Sequence, residues 1–251
     1  MKINMLRSLP FFLWAGKCLL QVGEERRKID AARAAGDFAL EQKNICDTLS
    51  YWGPKAFARF KGSTMRMDGL KNIPEGPVLF VSNHQGYGDI IIYMSAVAGM
   101  HKQIGFVARS NLRKLPMLGS WITRVRSLLI ERNDARAAVQ TFKTGEEWLR
   151  QGFSLVIFPE GTRSHSNEMG EFKKGSLRLA TQAGVPIVPV TLWNGWKLFE
   201  EYGYPHTADV RFFVHQPIET AGMTRQEQAG LTERVESVIR TKLEEWKLEG
   251  A

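Results

Sequence analysis

A chain of 251 residues, 43% hydrophobic and 24% charged, is long enough for one large domain and too apolar to stay disordered. Its 34 Lys and Arg against 26 Asp and Glu leave a formal net charge of +8, which favours anionic partners: a bilayer surface, phosphorylated substrates or nucleic acid. Two cysteines, Cys18 and Cys46, make neither a metal motif nor a disulfide framework, so a reducing compartment is expected.

The chain opens MKINMLRSLPFFLWAGKCLLQVGEERRK, which looks like a signal peptide. Lys17 interrupts its apolar centre, however, and no small-x-small cleavage site follows. The apolar run from Leu9 to Val22 is also shorter than the about 20 residues that cross a bilayer. As a helix opened by Pro10 it sets Lys17 and Gln21 on one stripe, with Phe11, Phe12, Leu13, Trp14, Leu19 and Leu20 around the rest. Such a helix suits either a membrane interface or the side of a core, and its basic flanks favour the membrane. EERRKIDAARAAGD then predicts a charged helix ending near Gly36. Ile45, Leu49, Trp52, Ala56 and Phe60 mark a second amphipathic helix from about Asn44 to Phe60.

After the turn-rich GLKNIPEGP, short apolar runs alternate with helical patterns. PVLFVS, QIGFVA, RSLLIE, FSLVIF, PIVPVTLW and DVRFFVHQPI predict strands. DIIIYMSAVAG, ARAAVQTFKTGEEWLRQ, SLRLATQAG and the long terminal RQEQAGLTERVESVIRTKLEEWK predict helices. This alternation implies an α/β fold: a largely parallel mixed sheet flanked by helices, with an N-terminal amphipathic helical segment that contacts the membrane. The expected division is residues 1–67 for that segment and 68–251 for the α/β domain.

Ligands of open α/β sheets bind beyond the carboxyl ends of strands, and three loops there carry chemistry. SNHQGYGD follows the first strand. On a straight helix His84 and Asp89 would point about 140° apart, so the expectation is that Gly86 and Gly88 bend the loop and return the carboxylate to the imidazole. Asp89 would then orient His84 as a general base. The same stretch also reads as a turn in which Asn83 and Asp89 cap the next helix. In SLVIFPEGTRS, Phe158–Gly161 suits a type I turn, which does not explain Arg163 or the cations of the following FKKGS; Arg offers a planar fork for phosphate oxygens. RSLLIERND adds Glu131 and Arg132. Together the loops read as a site for a phosphate-bearing substrate.

On these motifs the sequence resembles the glycerolipid acyltransferases typified by 1-acylglycerol-3-phosphate acyltransferase. The N-H-x4-D block is matched by Asn83, His84 and Asp89. F-P-E-G-T-R stands unaltered at Phe158 to Arg163, Glu131 and Arg132 match the end of a second block, and VPIVPV matches a fourth. All four are in order, and the similarity runs from about Arg26 to Leu198. Two departures stand out: Arg126, Ser127, Leu128 and Leu129 where that second block usually carries Gly and Phe, and Arg109 in place of a frequent Lys.

The resemblance implies transfer of a fatty acyl group from acyl-CoA or acyl-carrier protein to the free sn-2 hydroxyl of 1-acylglycerol-3-phosphate (lysophosphatidic acid), giving phosphatidic acid for phospholipid biosynthesis. His84 and Asp89 would be catalytic. Arg109, Arg132, Glu160, Gly161, Thr162 and Arg163 would bind substrate, with backbone N–H groups near Gly161 as oxyanion donors. No metal or cofactor is expected, no nucleophilic Ser or Cys motif is present, and His101, His165, His206 and His215 read as surface or core residues. The expected location is the cytoplasmic face of a membrane, bound peripherally or monotopically to the phospholipid surface. Glycerol-3-phosphate or another lysolipid as acceptor, a thioesterase, and a non-catalytic anionic-lipid binder are the alternatives. Nucleic-acid binding is not expected, because no recognised module accompanies the charge.

Overall fold

The computed structural model describes residues 3–115, 118–131 and 134–250. Helix α1 (Met5–Gln21) starts where the Asn4 side chain accepts the N–H of Arg7. A cap upstream therefore sets its start, and Pro10 lies inside the helix rather than opening it. Helix α2 (Gly23–Ala34) runs close to the expected charged helix, with Gly36 beyond it at a φ of 70°. Helix α3 (Phe38–Phe57) begins earlier than the Asn44 boundary drawn from periodicity, because Asp37 caps the N–H of Leu40.

Strand β1 (Thr64–Asp68) escaped the sequence reading: it is an edge strand whose residues are exposed or half-buried. Then follow β2 (Leu79–Ser82), α4 (Gly88–Met100), β3 (Gly105–Arg109), α5 (Leu118–Arg124), β4 (Leu128–Ile130), α6 (Ala135–Arg150), β5 (Leu155–Ile157), α7 (Arg178–Ala183), β6 (Ile187–Trp193) and β7 (Asp209–Val214). The single terminal helix expected over 225–247 is two helices, α8 (Arg225–Ala229) and α9 (Leu231–Leu248), parted at Gly230. Thr224 and Glu227 form a reciprocal cap at the start of α8.

The strands form one sheet in the order β1-β7-β6-β2-β5-β3-β4. Every pairing is parallel except β6 with β7. The expected α/β fold with a largely parallel mixed sheet is the one observed. Side chains alternate between two buried faces, as the strand period requires. Phe80, Val156 and Val188 enter a core with Ile45, Leu49, Ile92 and Tyr93 of α3 and α4. Leu79, Val81, Leu155 and Ile157 enter the opposite core, with Leu149, Leu179, Val235 and Ile239 of α6, α7 and α9. Because β2, β5, β3 and β4 are consecutive neighbours in the sheet, their carboxyl ends open on one edge.

Helix α3 also carries a buried charge. Glu41, 0% exposed, receives Arg126 in a two-pronged pair at 2.8 and 2.6 Å and Arg33 Nε at 2.8 Å. Arg126 sits in the left-handed region with φ of 61°, where glycine is the easy choice. Its guanidinium stacks 4.5 Å from the Phe153 ring centroid. The departure at Arg126 therefore anchors α3 to the β4 edge of the sheet. Helix α1 is held more lightly: Phe11 packs on Phe60 and Ser8 bonds to the Gly203 carbonyl. Leu6, Leu13 and Leu20 face outward, 83%, 65% and 74% exposed. Among the described residues no helix is long and apolar enough to cross a membrane.

Candidate active site

The loop after β2 is fixed from both sides before it reaches His84. Asn83 exchanges two hydrogen bonds with the Leu192 backbone of β6, donating at 3.0 Å and accepting at 2.8 Å. The loop after β5 pairs alongside it: Ser164 N–H donates to the His84 carbonyl and His165 N–H to the Gln85 carbonyl. Glu160, 5% exposed, accepts the His84 N–H through Oε1 at 2.7 Å and the Gly170 N–H through Oε2 at 2.8 Å. Burial pushes its carboxyl above the ordinary range, while those two N–H bonds oppose the rise.

His84 Nδ1 meets Asp89 Oδ2 at 2.7 Å. The same oxygen accepts the N–H groups of Gln85 at 2.6 Å and Gly86 at 2.9 Å. Asp89 is 0% exposed. It lies in the first turn of α4, whose N-cap is Tyr87, so it bonds back to the loop instead of acting as the cap residue. The imidazole stacks on Phe158 with ring centroids 4.1 Å apart and planes 17° from parallel. His84 Nε2 makes no hydrogen bond among the described residues.

The glycines of this loop serve a different purpose from the one expected. Neither Gly86 nor Gly88 has a positive φ. A Cβ on Gly86 would collide with the Glu200 carboxylate, one on Gly88 with the Gly195 carbonyl, and one on Gly195 with Asp89 Oδ1. They are places of close approach, which let the segment after β6 press onto the His84 loop. Gly161 does need its conformation: its φ is 66°, and its N–H closes the expected turn onto the Phe158 carbonyl at 3.0 Å. That N–H is therefore spent on the turn. The N–H groups of Thr162 and Arg163 make no hydrogen bond among the described residues.

A cleft of about 920 Å³ opens on this edge. His84, Gly161, Thr162, Arg163 and Arg109 all line it, so sequence-selected residues of two of the three loops converge with Arg109 at the end of β3. Asp89 and Glu160 stand behind His84. Arg132 lies outside the described residues; its neighbour Glu131 is exposed. Ile90, Phe106, Leu112, Val139 and Phe142 give the cleft an apolar wall, and Lys143, Lys173, Lys174 and Arg178 add cations against Glu146. Among the described residues no three His, Cys, Asp or Glu side chains are grouped to hold a metal ion.

Several lining groups were not selected from the sequence. His165 faces the cleft and is held below the usual histidine range by burial and by the Arg163 charge. The core reading suits His215, which bonds Thr191 at 2.7 Å and is pushed down to about 4, chiefly by burial. Glu200 pairs with Arg163 at 3.2 Å and belongs to no motif. The one hint for Lys173 was its place in FKKGS.

A family model described as Acyltransferase matches residues 64–193. A chloroplastic 1-acyl-sn-glycerol-3-phosphate acyltransferase of Brassica napus is 33% identical over 156 residues, covering 61% of this chain and 44% of the relative. The enzyme of the same description from Pseudomonas aeruginosa is 31% identical over 153 residues, covering 59% and 58%. The chain thus spans about half the length of these curated relatives. The crystal structure of the 1-acyl-sn-glycerophosphate acyltransferase PlsC from Thermotoga maritima superposes with a TM-score of 0.79 at 27% identity, covering 97% of this chain and 96% of that one. With the family model covering more than half of its length, the chain belongs to the acyltransferase family.

Proposed function

We propose that the protein transfers a fatty acyl group from the thioester of acyl-CoA or acyl-carrier protein to the sn-2 hydroxyl of 1-acylglycerol-3-phosphate, making phosphatidic acid. The observation that carries this reading is the 2.7 Å His84–Asp89 pair at the wall of a cleft shared with Arg163. Asp89 accepts a hydrogen bond from the Nδ1–H of His84, which fixes the tautomer and leaves Nε2 as the base. Nε2 takes the hydroxyl proton as the oxygen attacks the thioester carbonyl. The tetrahedral adduct collapses, the C–S bond breaks, and the leaving thiolate takes the proton back from His84. General-base help of this kind is worth about 10²–10⁴-fold.

Arg163 and Arg109, with Arg132 as the family motif implies, bind the acceptor phosphate, a match of fork to oxygens. The N–H groups of Thr162 and Arg163 supply the oxyanion donors that Gly161 does not. The apolar wall around Ile90, Phe106 and Phe142 suits an acyl chain. The outward leucines of α1 would seat the protein on a membrane surface, so the lipid substrates need not leave the bilayer, where each CH₂ exposed costs about 0.8 kcal/mol.

The deciding experiment is thiol release from oleoyl-CoA, or from an acyl-carrier protein donor, with and without lysophosphatidic acid, by the wild type and His84→Ala. Acceptor-dependent release lost in the variant supports acyl transfer, and exchanging acceptors against glycerol-3-phosphate and other lysolipids fixes the substrate. Release without acceptor would make the protein a thioesterase. No release from any donor and acceptor would leave a lipid-binding protein.

A further inference from the structure

Glu200 follows the short helical turn Gly195–Leu198 after β6. Its side chain is fully buried. Oε1 accepts the Tyr87 N–H at 2.6 Å and Arg163 Nη1 at 3.2 Å, so one oxygen joins the His84 loop to the loop after β5. Oε2 makes no hydrogen bond among the described residues and presses on Gly86, where any Cβ would displace it. The Tyr87 ring lies 3.9 Å from the Arg163 guanidinium carbon. Held by the carboxylate and the ring, the guanidinium still lines the cleft. Of its five N–H donors, one is engaged by Glu200.

We propose that Glu200 is the positioning residue for Arg163: its carboxylate fixes the guanidinium fork against Tyr87 so that the remaining donors meet the acceptor phosphate, and protonation of Glu200 releases the fork. The proposal rests on the reading that Arg163 grips that phosphate. A free Arg side chain must surrender its rotamers each time the phosphate binds, whereas a held one has already done so. The charged groups facing Glu200 are Arg163, from the loop after β5, and Asp89, from α4; Tyr87 faces it with its N–H. Burial pushes the Glu200 carboxyl up to about 7, the Asp89 charge adding to the rise while the Tyr87 N–H and Arg163 oppose it. Acceptor grip is therefore full above that pH and weakens below it.

The test measures KM and kcat for lysophosphatidic acid, and KM for oleoyl-CoA, in wild type, Glu200→Gln, Arg163→Ala and the double variant, from about pH 5.5 to about 8.5. Near the upper limit Glu200→Gln raises acceptor KM about tenfold, the worth of one charge-assisted bond, with kcat within about threefold. Donor KM stays unchanged, and in the Arg163→Ala background the substitution adds nothing. The wild-type to Glu200→Gln ratio of kcat/KM falls towards one at low pH, and does so also with the phosphate methyl ester of the acceptor, whose charge is fixed across the window. The wild-type to Arg163→Ala ratio narrows over the same window, a check that does not require the Glu200 variant to fold. Additive effects, a loss in kcat alone, or a ratio flat with pH would overturn the proposal. If Arg163→Ala raises acceptor KM and Glu200→Gln does not, the proposal falls and the Arg163 reading stands. If Arg163→Ala leaves acceptor KM unchanged, both fall.

Discussion

The Glu160 carboxylate accepts the backbone N–H of His84 with one oxygen and that of Gly170 with the other, at 2.7 and 2.8 Å. A residue of the FPEGTR loop thus sets the backbone that carries the base, and it need not touch substrate to matter. In Glu160→Gln one oxygen is replaced by an amide that points donors at a donor. The variant is expected to lose about 1–3 kcal/mol of stability, and to lower kcat more than it raises either KM. Urea midpoints and steady-state kinetics check this; a change in acceptor KM alone would instead make Glu160 a substrate ligand.

Gly195 has no counterpart in the motif blocks, yet a Cβ there would strike Asp89 Oδ1. Gly195→Ala must therefore push the carboxylate that orients His84, or push its own backbone away. Overpacking of this kind costs about 1–3 kcal/mol, and activity should fall well beyond what that loss of folded protein explains. Activity per folded molecule, with the folded fraction taken from circular dichroism, separates the two effects. Full specific activity in the folded fraction would mean that the loop yields without moving Asp89.

The strands were legible because parallel strands buried on both faces read as unbroken apolar runs, and their carboxyl ends located the loops that converge. What escaped has physical reasons. β1, TMRMD, alternates polar and apolar residues, but it is a short half-exposed edge strand with no β-branched or aromatic residue except Thr64 to mark it. The break at Gly230 was hidden because a lone Gly inside a run of helix formers is tolerated and does not by itself mark an end. The loop glycines were read for backbone freedom, when their role depends on Glu200, Gly195 and Asp89, groups brought together only by the fold. Glu200 itself stands in FEEYG, where nothing local separates a buried carboxylate from its exposed neighbour Glu201.

The buried Glu41 carboxylate, shared by Arg126 and Arg33, should be a matter of stability and not of chemistry. Removing Glu41 leaves Arg126 largely buried and uncompensated, while Arg33 is a third exposed, at about 3–5 kcal/mol for the set. Glu41→Ala is thus expected to lower the melting temperature by on the order of 10 °C, with kcat and KM unchanged at a temperature where it remains folded. Altered acceptor KM in the folded variant would show that the β4 edge transmits strain to the cleft.

Membrane seating is testable on α1 without disturbing the core. Leu6 and Leu13 are 83% and 65% exposed, so charging them should leave the fold intact. The Leu6→Glu, Leu13→Glu double variant should bind vesicles of phosphatidylglycerol and phosphatidylcholine at least about 10²-fold more weakly, given about 1.5–3 kcal/mol per buried leucine. Its activity on a water-soluble short-chain acceptor should be kept. Unchanged flotation with vesicles would place the contact on another surface.

The raised carboxyl of Glu200 also fixes the sign of a stability change with pH. Its ordinary value of 4.5 moves to about 7 in the folded protein, mainly through burial. Between those values the folded state keeps a proton that the unfolded chain has released, so ionising Glu200 costs stability as pH rises through the window, and the cost levels off above it. Glu200→Gln has no proton to lose. Its urea midpoint relative to wild type should therefore climb from about pH 5 to about pH 8, even though the variant has lost its charge-assisted bond to Arg163. A relative midpoint that stays flat over this range would mean that the pairing with Arg163 outweighs burial, with Glu200 ionised well below neutral pH. Acceptor grip would then be independent of pH near 7, so this equilibrium measurement also bears on the proposed protonation-dependent release of Arg163.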